Sequence, residues 1–128
     1  MTPHDLAREH YVSLATFRKS GAEVKTPIWF ASDPQDPRRL WMYTNRKTGK
    51  VKRLRNSGRS RVAACNARGR EHGPWLDATT RIETDARAME RALDLLLQKY
   101  GWQARLFLFF ARLGPTWKDR TILEVTLA

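Results

Sequence analysis

Leu40-Trp41-Met42-Tyr43 is apolar at every position, so a strand there presents an apolar side chain to both faces of its sheet. A two-layer protein would leave one of those faces in water. The pattern therefore predicts a small barrel whose second surface is covered by a partner chain. The flanking sequence agrees. Tyr11-Val-Ser-Leu-Ala-Thr-Phe17 alternates and predicts a strand over about 11–18, and Lys19–Ala22 a turn in which Gly21 is free to take positive φ. Val24–Ala31 is a second strand, and Pro27 within it marks a bulge or an unpaired edge. After a turn over Asp33–Pro37, further strands follow at Leu40–Thr44, Arg61–Asn66, Pro74–Glu83 and Thr121–Leu127, six in all.

The period changes elsewhere. Residues 3–10 read as a short helix capped by Thr2 before Pro3, and Thr48–Asn56 as a short basic helix with Val51 and Leu54 on one face and Thr48 at the cap. From Asp85 the repeat becomes helical: Met89, Leu93, Leu96, Leu97 and Tyr100 share a stripe, with Asp85 as N-cap and Gly101 as the stop. Gln103–Arg112 is a second apolar segment that fits helix or strand, with helix the favoured reading, and Gly114-Pro115 ends it. The fold class expected is α+β, mainly antiparallel β: one domain over residues 1–128, a closed barrel with a helical insertion before its last strand.

Charge separates the two halves. Residues 1–70 hold sixteen Lys/Arg and five Asp/Glu, whereas residues 71–128 hold eight of each. Arg38 to Arg70 contains twelve basic residues and no acid, a field that favours an anionic partner. No apolar stretch approaches the ~20 residues of a membrane span, so no membrane partner is expected. Met1–His10 includes Asp5, Arg8 and Glu9 without an apolar core, so no signal peptide is expected and the cytoplasm is the expected address. Cys65 stands alone, and His4, His10 and His72 lack ligand spacing, so neither a disulfide nor a metal site is expected.

No nucleophile–base set and no carboxylate pair can be assembled, so catalytic residues are not assigned. An enzyme of this composition would take its reactive atom from a cofactor. Gly49-Lys50 is not a phosphate loop, because Thr44 stands where glycine is required and Val51 where Ser or Thr is. What remains is a helix start with Thr48, free backbone N–H groups and Lys50, a sound anion site, with Lys52, Arg53 and Arg55 widening the positive field. The same residues would equally make a solvated basic helix. Trp29, Trp41, Trp75, Trp102 and Trp117 read mostly as core or interface, and Phe107, Phe109 and Phe110 as packing.

Tyr11–Phe17, the turn at Gly21 and Thr26-Pro-Ile-Trp-Phe30 resemble the first hairpin of the pyridoxamine-phosphate-oxidase-like split-barrel proteins. Leu40–Thr44, Thr48–Asn56, Val62–Gly69 and Thr121–Thr126 continue the resemblance in the same order, with residues 85–113 outside it. It is nearest to the branch that uses coenzyme F420, a deazaflavin with a phosphate and a polyglutamate tail. The resemblance implies an FMN-binding type of split barrel and a homodimer with cofactor sites between subunits. It also implies hydride transfer between coenzyme F420, or alternatively FMN, and a small organic substrate. By position it implies that Lys50 holds the cofactor phosphate, with Thr44 and Thr48 as hydroxyl donors and Lys52, Arg53 and Asn56 in support. Pro27, Ile28 and Trp29 would back the ring, and Trp75 would reach a site from the partner subunit. A proton could come from solvent or Tyr43. The rival readings are a cofactor binder without turnover and, less favoured, a nucleic-acid binder. Against the latter, aromatic and basic residues are not interleaved as on an RNA-binding sheet.

Overall fold

The computed structural model describes residues 1–128 and contains one seven-stranded antiparallel sheet with four α-helices. The strands are β1 (Tyr11–Phe17), β2 (Glu23–Ile28), β3 (Ala31–Asp33), β4 (Asp36–Asn45), β5 (Arg59–Cys65), β6 (Leu76–Glu83) and β7 (Arg120–Leu127). The helices are α1 (Pro3–Ala7), α2 (Gly49–Asn56), α3 (Ala86–Tyr100) and α4 (Trp102–Leu113), with a 3₁₀ turn at Trp117–Asp119. Spatial order is β2-β1-β5-β6-β7-β4-β3. The two edge strands, β2 and β3, are consecutive in sequence and joined only by Trp29 and Phe30. The sheet must therefore curl until its ends approach at that link, which makes it a split barrel. Pro27 lies in edge strand β2, where its missing N–H does little harm, as expected. The expected second strand proves to be two, because Trp29-Phe30 breaks the ladder and Ala31–Asp33 pairs instead with β4.

The inward residues are those the alternation selects. Val12 and Leu14, Leu40 and Met42, Val62 and Ala64, and Leu123 and Val125 form one buried cluster, which Leu6 of α1 and Val51 and Leu54 of α2 plug. Register pairs Met42 with Leu123 and Leu40 with Val125, so β4 and β7 present their apolar faces together. Each Leu or Val removed from water here stabilises the fold by roughly 1.5–3 kcal/mol.

The second apolar face of β4 is where expectation and structure differ. Trp41 packs with Ala92 and Ile122, and Ala31 with Leu96, Tyr100 and Ala104. The chain's own α3 and α4 cover that face, so no partner chain is required there. Asp33 fixes the arrangement. Its buried carboxylate accepts hydrogen bonds from Trp41 Nε1 (3.2 Å), the Gln35 N–H (2.9 Å) and Arg91 (3.1 Å), tying β3, β4 and α3 together. Burial alone would raise its pKa, but these bonds and the Arg91 and Arg39 charges outweigh it and hold the carboxyl below its ordinary value. Asp85 caps α3 through the Ala88 N–H, and Gly101, at φ 62°, turns the chain into α4. No helix is long and apolar enough to cross a membrane.

Candidate cofactor site

Two features converge on the loop between β4 and α2. The first is a free helix start. Thr48 occupies the N-cap position, but its hydroxyl donates to the Asn45 carbonyl (2.9 Å) instead of accepting from the first turn. The expected capping role of Thr48 is therefore corrected: its side chain turns back to the Asn45 carbonyl and makes no bond to the first turn. The consequence is that no side chain caps the first-turn amides of α2. The loop itself is pinned from below by buried Asp119, which accepts from Arg46 Nη2 (2.8 Å) and pairs with Lys47 (3.3 Å). Those hydrogen bonds outweigh burial and hold the Asp119 carboxyl low.

The second feature is unpaired positive charge. Arg53 folds back over the helix start, so that a Cβ added at Gly49 would lie 2.7 Å from Arg53 Nη1. Its Nε donates to Thr16 Oγ1 (2.7 Å), which holds the guanidinium in place. Lys50 is half-buried beside it, and burial, then the Arg53 charge, lower its pKa. Burial, then Arg18, act on Arg53 in the same direction. No ion pair in the molecule involves Lys50, Arg53 or Arg18. Cations gathered at a helix start without a carboxylate fit an anionic group.

An apolar cavity of 290 Å³ lies on the outer face of the sheet, between the β2–β3 link and the α3–α4 pair. Pro27, Ile28, Trp29 and Tyr43 form its floor, and Leu96, Phe107 and Leu108 are among the helix residues that roof it. Trp29 is held by stacking on Tyr100, with centroids 4.4 Å apart and planes 10° apart. Beside the cavity lies a more open cleft of 690 Å³, bounded by Thr44 and Asn45 on the sheet side and by Gln103, Leu106 and Phe110 on α4. Tyr43 and Phe107 line both spaces, so cavity and cleft share a wall. Burial raises the Tyr43 pKa more than Arg120 lowers it, so its phenol keeps its proton at neutral pH.

The residues singled out in the sequence fall into three groups. Pro27, Ile28 and Trp29 line the cavity, and Thr44 lines the cleft. Lys50 and Arg53 share the start of α2, next to Thr48, whose backbone and hydroxyl are tied to the cleft residue Asn45. Lys52, Asn56 and Trp75 are elsewhere. Lys52 is exposed on the opposite side of α2, and Asn56 at its far end borders a separate basic groove with Arg18, Lys19 and Arg59. Trp75 lies between Lys25 (5.0 Å) and Arg61 (5.1 Å) and lines neither the cavity nor the cleft of its own subunit.

Sequence reasoning missed Tyr11, Leu93, Leu96, Ala104 and Leu108 as cavity residues, and it assigned Phe107 to packing. The helical stripe identified Leu93 and Leu96 as inward-facing, but nothing in the periodicity says that the helices stop short of full contact with the sheet. Phe109 and Phe110 are not packed into the core; both are exposed and meet each other edge to face.

No curated protein sequence matches the chain. Several solved structures share its fold at low sequence identity. The conserved hypothetical protein Rv2991 from Mycobacterium tuberculosis superimposes with a TM-score of 0.71 at 16% identity, covering 99% of this chain and 81% of that one. The heme storage protein HutZ from Vibrio cholerae gives 0.70 at 10% identity, with 98% and 86% covered. A structure described as an F420 reductase gives 0.59 at 19% identity, with 96% and 90% covered. In sequence, residues 4–128 match the family described as pyridoxamine 5'-phosphate oxidase. Nearly the whole chain is included in that match, and it has the split barrel: this protein belongs to the pyridoxamine 5'-phosphate oxidase family.

Proposed function

We propose that this protein is an oxidoreductase that binds a deazaflavin, coenzyme F420, and works as a homodimer on a small organic substrate. The observation that carries this reading is the acid-free cationic start of α2, linked through Asn45 and Thr44 to an apolar cavity floored by Pro27, Ile28 and Trp29. One end suits a phosphate and the other a flat, poorly hydrated ring. The Arg38–Arg70 run suits a ligand that carries several carboxylates more than FMN, which carries only a phosphate.

In this reading Lys50, Arg53 and the first-turn amides hold the phosphate, Lys52 extends the positive surface toward an acidic tail, and Asn56 adds an amide donor. Pro27, Ile28, Trp29 and Phe107 exclude water from the ring and set its plane, and Thr44 borders the passage between the two ends. Trp75 would act on the site of the other subunit. The bound deazaflavin supplies the hydride chemistry. Tyr43 keeps a proton at the mouth shared by cleft and cavity, and the remaining contribution of the chain is position.

Parallel titration of the purified protein with coenzyme F420 and with FMN, read by tryptophan quenching at moderate salt, tests the proposal. Tighter binding of the deazaflavin supports it. Tighter binding of FMN keeps the site and changes the cofactor to the alternative. Binding of neither refutes it.

A further inference from the structure

Trp102, Leu106, Phe109 and Leu113 follow one another along α4 at intervals of four, three and four residues, so they share one side of the helix, with Phe110 beside them. Trp102 and Leu113 are 71% and 72% exposed, Phe109 and Phe110 59% and 61%. Ala104 and Leu108, on the opposite side, are buried against the body of the protein. Together with half-exposed Leu106 and Phe107, the stripe leaves on the order of 600–700 Å² of apolar surface in water, above the range of an ordinary monomer's largest patch.

Shape and charge say what kind of cover such a stripe takes. Trp102, Phe109 and Leu113 line neither the cavity nor the cleft, so the stripe is a ridge and not a groove. Its flank is cationic. Arg105 and Arg112 follow one edge of it and Lys118 comes next in the 3₁₀ turn; all three are exposed and none has an ion-pair partner. Arg112 lies 5.5 Å from the Trp117 ring centroid, so an aromatic ring and not an acid holds its charge at that edge. No acid occurs from Leu95 to Lys118. The acids that bound this stretch are Asp94, on α3, and Asp119, which is buried in its pairs with Arg46 and Lys47.

We propose that this stripe seats the protein on an anionic lipid surface. In that seat α4 lies flat at the headgroup boundary, with Trp102, Leu106, Phe109 and Leu113 turned toward the acyl chains and Arg105 and Arg112 beside lipid phosphates. The helix has 12 residues and is about 18 Å long, so it rests in one leaflet. The lack of a spanning segment bears on crossing a bilayer and not on lying in its surface. Charge complementarity selects lipid over a second copy of the chain. Two stripes laid together would bring the arginines of both copies to one seam with no carboxylate between them, whereas an anionic bilayer supplies the opposite charge along the whole flank. The net charge of +11 adds attraction at longer range. Tryptophan and phenylalanine at the ridge are also the side chains that favour the boundary between water and acyl chains. The seat does not depend on which cofactor the protein holds.

The test is co-sedimentation of the full chain with vesicles of phosphatidylcholine alone, and of phosphatidylcholine and phosphatidylglycerol in equal parts, at low and high salt. The wild type should bind the anionic vesicles at least about ten-fold more tightly than the neutral ones. Part of that binding should survive high salt, because apolar contact is not screened. Phe109→Ser and Leu113→Ser, at exposed positions where the far-ultraviolet spectrum should be unchanged, should each weaken it roughly ten-fold. Arg105→Gln combined with Arg112→Gln should weaken anionic binding roughly 10–30-fold and leave the neutral vesicles unaffected. Tryptophan emission should move to the blue on anionic vesicles, and Trp102→Phe should still pellet but lose most of that shift. A wild type that does not pellet with the anionic vesicles overturns the proposal. Pelleting that is indifferent to both serine variants and vanishes at high salt also overturns it, and traces adsorption to the Arg38–Arg70 run. A chain that stays off the vesicles and sediments as a dimer, with Phe109→Ser a monomer, overturns it as well and gives the stripe to a second copy. Cofactor titration reads the proposed function separately, so either can fail while the other stands.

Discussion

Replacing Tyr100 by phenylalanine removes one oxygen from the place where the two ends of the barrel meet. The Tyr100 hydroxyl accepts from the Phe30 N–H (3.0 Å), and its own proton has two acceptors in reach, the carbonyls of His10 (2.7 Å) and Phe30 (2.9 Å). Phe30 is fully buried, so in Tyr100→Phe its N–H finds neither protein nor water. The unmet donor costs about 1–3 kcal/mol and the lost O–H bond about 1 more, giving about 2–4 kcal/mol in all. The ring itself remains, so the stack on Trp29 and the cavity volume are kept, and no transfer or cavity cost is added. Burial raises the phenol pKa far above neutrality, so the loss should not vary with pH between 6 and 9. Urea denaturation measures it: the midpoint should fall by roughly 1–2 M with the slope m unchanged. A loss below about 0.5 kcal/mol would show that the Trp29–Phe30 link is held by packing alone, and the account of how the split barrel is closed would be wrong.

Lys50→Ala should weaken binding of whichever cofactor the titration selects by about 1.5–3 kcal/mol, the scale of a charge-assisted hydrogen bond, and an unchanged dissociation constant removes Lys50 from the site. Asp33→Asn should cost about 1.5–3 kcal/mol at pH 7, the scale of hydrogen bonds to charged groups. Because the folded pKa of Asp33 is depressed below 3.8, its contribution is present above that pH and lost as pH falls through the folded value. Wild type and variant should therefore converge in acid, and parallel stability curves down to pH 2 would contradict the ion-pair account. Lys99 is the opposite case. Its buried ammonium sits 3.4 Å from the Phe30 ring centroid without a hydrogen-bond acceptor, and burial, only partly offset by Glu9, lowers its pKa from 10.5 to about 8. Between those values the unfolded chain holds a proton that the folded chain does not, so stability should rise with pH across that window. Lys99→Met should abolish that rise; chemical denaturation at pH 8 and pH 10 distinguishes the two, and equal slopes for wild type and variant would refute the assignment.

The barrel was legible because its signals are local and repeated. Alternation marked β1, an unbroken apolar run marked β4, Pro27 marked an edge, and the 3.6 period after Asp85 marked α3 with both its cap and its stop. The misreadings share a cause, which is competition settled only in three dimensions. Thr48 has the residue type and position of a cap, yet its side chain turns back to the Asn45 carbonyl three residues earlier and makes no bond to the first turn. Trp41 and Tyr43 do need cover, but sequence cannot say whether a partner or the chain's own helices supply it. Trp29 reads as strand by propensity, whereas the pull of Tyr100, seventy residues from Phe30, takes the link out of the ladder. For the candidate site, the cationic end was visible as a run of charge. The cavity was not, because it is a gap between layers and no single residue encodes a gap. Lys52, Asn56 and Trp75, placed by order alone, line neither the cavity nor the cleft of their own subunit.

The strands β6 and β7 are antiparallel neighbours, so α3, α4 and the 3₁₀ turn together are the loop of a greatly enlarged hairpin. That loop roofs the cavity and bounds the cleft, while the cationic start of α2 is held by Thr16 of β1 and by the loop that follows β4. Under the proposed function, ligand choice and ligand anchoring are thus written in separable stretches of the chain. A descendant could shorten, lengthen or repaint the hairpin loop and acquire a new molecular taste, with the register of every strand pair intact and the same grip on an anionic cofactor.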